Sequence, residues 1–318
     1  MKIQDCLKTE RKEVLLVTHA GRFHADDVVS TVILEEFLDW LGINKHNLIR
    51  TYRPDFTDNS IGAIVYDIGR GMYDHHQVGD EAKHCIREDG GKYAAVGLIW
   101  KELSKIRFDQ DDADYIYNSF IRYIDDHDNG NGKNPFSNVI GLFNPPDTAS
   151  NIEKDNAFRE ACDFVKVAYD KYLDEIKYRE SQRKKLHKYI ATHPFESVTR
   201  YYLVTDSHYG SVAYEYCRKH GIPFYLYPNP REEGSYTFET ISKDPNSQTD
   251  HLVDIPEKVR NLEGVQFLHP TRFLGSADSL SRAIEIVNEI CTEFYVELLS
   301  KQHQESISMK TIENNNQQ

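Results

Sequence analysis

Two short stretches of this chain concentrate imidazoles and carboxylates. The first runs Thr18, His19, Ala20, Gly21, Arg22, Phe23, His24, Ala25, Asp26, Asp27; the second is Asp67 followed by Tyr73, Asp74, His75, His76 and Gln77. Hard carboxylate oxygens mixed with imidazole, with no thiolate nearby, suit manganese, magnesium or iron better than structural zinc. Two such cations sharing a carboxylate would activate water and hold phosphate oxygens for in-line attack. The chemistry these residue types point to is therefore two-metal phosphoryl hydrolysis, with manganese as first choice and magnesium as the alternative. No protein nucleophile is needed, which agrees with the absence of a G-x-S-x-G run. The chain also lacks the G-x-x-x-x-G-K-[ST] loop, so hydrolysis is favoured over nucleotide-driven transfer. Taken singly, a histidine after a strand packs or caps, and an aspartate before a helix caps it. It is the joint occurrence that carries the metal reading, and Asp27, Asp126 and His127 are left outside it.

These residues must be positioned by elements that end where they stand. Residues 13–18 (EVLLVT) form a strand-length apolar run that stops at a glycine-containing loop. After it, Asp26 and Asp27 precede Val28, Val29, Val32, Ile33, Phe37 and Leu38, apolar at helical spacing, with acids where a helix N-terminus favours them. Residues 48–52 and 63–67 read as two more strands, the second ending in Asp67. Strand, helix, strand, strand with acids and histidines at strand ends predicts an open, mostly parallel α/β sheet with its site at the carboxyl edge. Helices are expected over about 92–105 and 112–126, the second stopping at Asn129-Gly130-Asn131-Gly132. That places a third acidic cluster, Asp125 to Asp128, at the end of an element.

At these residues the chain resembles the DHH phosphoesterase superfamily, and within it the MYG branch of metal-dependent hydrolases and RNA exonucleases. A histidine followed by F-H-x-D-[DE] is present as His19, Phe23, His24, Asp26 and Asp27. Asp67 follows in VYDIG, then Asp74, His75 and His76 in YDHHQ, then Asp125, Asp128, Asn129 and Gly130 in a D-x-x-D-N-G pattern. The resemblance implies one metal on His19, His24 and Asp67 and a second on Asp26, Asp67, His75 and Asp125, with Asp67 bridging. It implies that Asp74 orients a ligand and that His76 faces the substrate phosphate as hydrogen-bond donor or general acid. Other branches carry Asp where His24 stands, an exchange that lowers the negative charge of the site.

The domains are expected at 1–150 (DHH-like, metal-binding), 151–192 (helical connector), 193–300 (a smaller α+β substrate domain) and 301–318 (a polar, disordered tail). Phe158, Ala161, Val165, Ala168, Tyr172 and Ile176 recur at helical spacing along the connector, whose basic end (Arg183, Lys184, Lys185, His187, Lys188) reads as a solvated face. In the third part, strands are expected at 201–205, 223–227, 235–242 and 265–268, with helices at 210–220 and 278–300. The stretch 269–277 resembles, in part, the glycine-rich substrate motif H-x-G-G-F-x-G-G: His269, Phe273 and Gly275 fit, while Thr271, Arg272 and Ser276 replace glycines. Through that resemblance His269, Arg272, Gly275 and Ser276 are the expected substrate-binding residues, Arg272 gripping a phosphate where backbone cannot approach.

Composition bounds the rest. The net charge of −13 argues against broad binding to long nucleic acid and favours short or small phosphate substrates. Five scattered cysteines without a C-x-x-C pair indicate neither zinc knuckle nor disulfide framework. No stretch approaches the roughly 20 apolar residues of a membrane span. A reducing cytoplasm and no membrane partner are the expectations, with a homo-oligomer left open. The leading function is a 3'-5' exonuclease on short RNA. The rivals are hydrolysis of pyrophosphate, a cyclic dinucleotide or a 3'-phosphonucleotide, and a metal-stabilised binding protein without turnover.

Overall fold

The computed structural model describes residues 1–7, 13–53, 62–245, 247 and 249–315. It divides into two compact units, Met1–Ile176 and Lys177–Gln318. In the first, strand β1 (Glu13–His19) leads to helix α1 (Ala25–Trp40), and strands β2 (Lys45–Thr51) and β3 (Gly62–Val65) follow. The three strands form a parallel sheet in the order β2-β1-β3. In its register His19 lies opposite Thr51 and Val17 opposite Val65, so all three strands deliver their carboxyl ends to one edge. That edge is where His19 and, two residues beyond β3, Asp67 stand.

Helix α1 is buried on nearly all faces, from Val28, Val29 and Ile33 to Phe37 and Leu38, which explains an apolar pattern too broad for a one-sided surface helix. Asp27 closes its first turn by accepting the His24 backbone N–H at 2.9 Å, a capping interaction that fixes the direction in which Asp26 and Asp27 enter the sheet edge. Helix α2 (Ala95–Arg107) is followed by α3 (Gln110–Ile116), a π-helical turn (Tyr117–Ile121) and α4 (Arg122–Asp128). The single helix expected near 112–126 is thus interrupted by a wider turn. A short helix α5 (Pro135–Gly141) was not anticipated, although Asn134, whose side chain accepts from the Phe136 N–H, and Pro135 are ordinary start signals.

Helix α6 (Asn151–Thr192) runs through the connector. Phe158, Ala161, Cys162, Val165 and Tyr169 bury its early part in the core of the first unit. The boundary between the units falls within this helix. In the second unit β4 (Tyr202–Val204), α7 (Ser211–His220) and β5 (Phe224–Pro228) form a parallel β-α-β unit. Strands β6 (Tyr236–Thr240), β7 (Val265–Leu268) and β8 (Leu274–Ala277) complete a five-stranded sheet in the order β4-β5-β6-β8-β7. Strand β8 takes up the end of the stretch 269–277, for which only a partial substrate motif was read: Gly275 pairs with Phe238 and Ser276 with Thr237. Helix α8 (Leu280–Asn315) continues past Ser300 into the stretch expected to be disordered, where no Gly or Pro interrupts it; residues 316–318 lie outside the described residues. All five cysteines are buried. No described helix is long and apolar enough to cross a membrane.

Candidate metal centre

The carboxyl edge of the parallel sheet gathers both stretches singled out above. His19, the last residue of β1, points Nε2 at Asp27 Oδ2 (3.1 Å) and Asp67 Oδ2 (3.2 Å). His75 Nδ1 lies 3.3 Å from Asp67 Oδ1 and 3.9 Å from Asp26 Oδ2, and its Nε2 is 2.9 Å from Asp128 Oδ2. His76 Nδ1 is 2.9 Å from Asp74 Oδ1 and 3.5 Å from Asp67 Oδ1. Potential ligand atoms fall into three groups, each within 4.8 Å: Asp67 with Asp74, His75 and His76; His19 with Asp27 and Asp67; His24 with Asp26 and Asp128. Asp67 belongs to two groups, as a bridging carboxylate would.

The loop carrying His24 is pinned from two sides. Asn144 accepts the Phe23 N–H and donates to the Phe23 carbonyl, and Arg50 donates to the Gly21 carbonyl. Gly21 sits at φ +87°, and a Cβ there would press on the Tyr52 hydroxyl at 3.0 Å, so this turn requires glycine. Asp67 itself occupies the left-handed region at φ +55°, and its N–H reaches the Tyr73 carbonyl. Asp74 ties the next loop together: Oδ2 accepts from the Arg70 N–H and Oδ1 from the backbone and ring of His76.

Electrostatically the cluster is under strain. Burial pushes the Asp26 carboxyl well above the usual range, reinforced by Asp67, Asp128 and Asp27. Burial also raises Asp67, against the opposing pull of His19 and His75. For His19 burial disfavours the charged form, but hydrogen bonds to Asp27 and Asp67 outweigh it and push the imidazole up to about 11. Both oxygens of Asp26, Oδ1 of Asp67 and Nδ1 of His75 are buried without a hydrogen-bond partner among the described residues. Buried ionisable groups left this way are costly unless a counter-charge sits among them. Oxygen and imidazole donors around a shared carboxylate fit divalent cations of the manganese or magnesium type.

The placement differs in part from the ligand sets implied by the resemblance. His19, Asp26, Asp67 and His75 come together. His24 falls with Asp26 and Asp128 instead of beside His19 and Asp67. Asp125 is not in the cluster. Its Oδ1 accepts the Ala94 and Gly97 N–H groups at 2.9 and 3.1 Å, and its Oδ2 accepts the Tyr117 hydroxyl at 3.0 Å. Asp125 therefore serves the start of α2, while Asp128, one turn on, reaches the cluster. Burial, only partly offset by these donors, raises Asp125 to about 8. Asp27, set aside in the sequence, is fully buried and touches His19; the i, i+3 relation to His24 marked it only as a cap.

A cleft of about 740 Å³ opens over the cluster, lined by His24, His75, His76, His127, Asp128 and Asn144 among others. In the second unit His269, Thr271 and Arg272 occupy the β7–β8 turn. Thr271 bonds His269 Nδ1, and Arg272 is exposed at φ +60°. Gly275 and Ser276 are buried in β8, where a Cβ on Gly275 would meet Phe238 at 2.4 Å.

A family model described as MYG1_exonuc, Uncharacterised protein family (UPF0160), matches residues 15–290. The MYG1 protein of Chlamydia trachomatis serovar D is 29% identical over 178 residues, covering 50% of this chain and 57% of that protein. The MYG1 protein of Dictyostelium discoideum is 28% identical over 136 residues, covering 37% and 39%. The chain thus spans little more than half the length of the bacterial relative and less of the other. Among solved structures, RecJ in complex with Mn2+ from Thermus thermophilus is similar at 11% identity and a TM-score of 0.28, covering 92% of this chain and 54% of that one. An exonuclease RecJ bound to manganese gives 12%, 0.29, and coverages of 90% and 91%.

Proposed function

The chain belongs to the MYG1_exonuc family, and from that premise we propose that it is a two-metal phosphodiester hydrolase that removes nucleotides from the 3' end of short RNA. The observation that carries the proposal is the set of buried carboxylate and imidazole atoms on Asp26, Asp67 and His75 that make no hydrogen bond among the described residues, at the carboxyl edge of a parallel sheet. His19, Asp27 and Asp67 would hold one divalent ion, and His24, Asp26 and Asp128 a second, with His75 between them, its Nδ1 toward Asp67 and its Nε2 toward Asp128. Bound there, such ions would supply Lewis acidity toward phosphate oxygens and toward water. The chain's own residues do the orienting. Asp74 receives His76 Nδ1, which leaves Nε2 of a ring that is 63% exposed free toward the cleft. The hydrogen bond to Asp74 raises the His76 pKa, so Nε2–H is available as a donor to a phosphate or leaving oxygen. Arg272, in the exposed turn of the second unit, is the proposed phosphate contact there, with His269 beside it.

Digestion of an end-labelled short RNA with manganese, beside a His75→Ala control, tests this reading. Stepwise shortening abolished by the substitution is expected. Intact RNA with manganese bound would remove the RNA assignment. The acidic net charge and the Thr271-Arg272 turn favour a second reading, hydrolysis of pyrophosphate, a cyclic dinucleotide or a 3'-phosphonucleotide. A phosphate-release panel on these compounds decides it, and a flat panel removes it.

A further inference from the structure

The cleft over the cluster is not alone in touching the segment that carries Asp74, His75 and His76. A second cavity of about 600 Å³ opens beside Gln77, one residue beyond His76, and its lining includes Lys2, Arg70, His84, Lys101, Lys105 and Glu102. Four full positive charges (Lys2, Arg70, Lys101, Lys105) thus face one acid, on a chain whose net charge is −13. That acid is already engaged: Glu102 accepts the Gln4 N–H and the Tyr73 hydroxyl. All four cationic side chains are exposed. Among the described residues none of them forms an ion pair; the Lys101 ammonium lies 5.1 Å from the centre of the Tyr93 ring.

A concavity that gathers unpaired like charges has a potential that favours an anion, and lysine and arginine are the side chains that bind phosphate. We propose that this cavity is a phosphate-binding site separate from the metal cluster, taking either a free pyrophosphate-type ligand or a phosphate of a nucleic-acid strand. Its wall is the loop that sets the catalytic histidine. The Arg70 N–H donates to Asp74 Oδ2 at 2.6 Å, and Gln77 Nε2 donates to the Gly71 and Asp74 carbonyls at 2.6 and 3.0 Å. An anion drawn to Arg70 therefore bears on the loop in which Asp74 holds His76. The site rests on its own lining and not on the hydrolysis proposed above.

The test is calorimetric titration of the whole chain with inorganic pyrophosphate in EDTA, where no turnover occurs. Wild type is expected to bind, Lys101→Glu/Lys105→Glu to bind about tenfold more weakly or worse, and His76→Ala to bind as wild type does. Arg70→Gln serves as a second variant should the double charge reversal disturb folding, and it too should weaken binding. No binding by wild type, equal binding by the charge variants, or loss of binding in His76→Ala would overturn the proposal. Competition by a short oligoribonucleotide identifies the source: displacement of pyrophosphate assigns the site to a strand's phosphates, and failure to displace assigns it to a small phosphate ligand. Since binding is read without metal, its failure is distinguishable from failure of the RNA assay.

Discussion

Asp67 combines roles that few other side chains could. It holds a left-handed backbone at φ +55°, a conformation that aspartate and asparagine tolerate best after glycine and that still costs about 1 kcal/mol, and it places one oxygen toward His19 and the other toward His75. Asp74 is the opposite case, a carboxylate fully engaged in orienting its neighbours. Burial works against its charge, but the hydrogen bonds from His76 and the Arg70 N–H lower it from 3.8 to about 2. A depressed carboxyl stabilises the fold above its unfolded pKa and loses that contribution as pH falls through the folded one. Denaturant unfolding of metal-free protein should therefore show wild type more stable than Asp74→Asn near neutrality, the gap closing between about pH 4 and pH 2. A gap unchanged over that window would show that Asp74 is not held as an ionised acceptor. At this scale the sequence showed most of the cluster, because imidazole and carboxylate types are informative in themselves. It did not show Asp27 as a cluster member, since an acid at the third position of a helix reads first as a cap.

Helix α4 explains why spacing could not choose between Asp125 and Asp128. Residues three apart share a helix face, so both satisfy the same pattern, and only tertiary contacts separate them. Asp125 meets the first turn of α2, where the orphan N–H groups of Ala94 and Gly97 need an acceptor. Asp125→Asn should therefore retain manganese affinity, whereas Asp128→Asn should weaken it about tenfold or more. Calorimetry with manganese reads both, and the reverse order would restore Asp125 as the ligand. Gly97 belongs to the same contact, because a Cβ there would lie 2.2 Å from Asp125 Oδ2. Gly97→Ala should cost about 1–3 kcal/mol in denaturant unfolding despite the gain in helix propensity; an unchanged or raised stability would show that the Asp125 contact is slack. The apolar runs made β1 and α1 legible. The π-helical turn Tyr117–Ile121 was not, since one wider turn leaves no mark in composition. Strand β8 was hidden for a related reason: Gly275 and Ser276 have little strand propensity, and Gly275 is required by the close approach of Phe238.

For the molecule as a whole, every member of the candidate metal cluster lies in the unit Met1–Ile176, while the His269 to Arg272 turn lies in Lys177–Gln318. A net charge of −13 makes local devices necessary for any polyphosphate substrate: cations among the carboxylates, and the unpaired lysines and arginine of the second cavity. The acidic balance and the alternation of strands and helices could be read directly from the chain. The gathering of Lys2, Arg70, Lys101 and Lys105 could not, because α2 supplies only Lys101 and Lys105, and its packing against the N-terminal segment brings Lys2 to them. The central assignment is tested most directly by anomalous diffraction at the manganese edge, from crystals of the whole chain grown with manganese. The expected result is two ions among Asp26, Asp27, Asp67 and Asp128, with Asp128 and not Asp125 as a ligand. Manganese found only outside this cluster, or none bound, would contradict it.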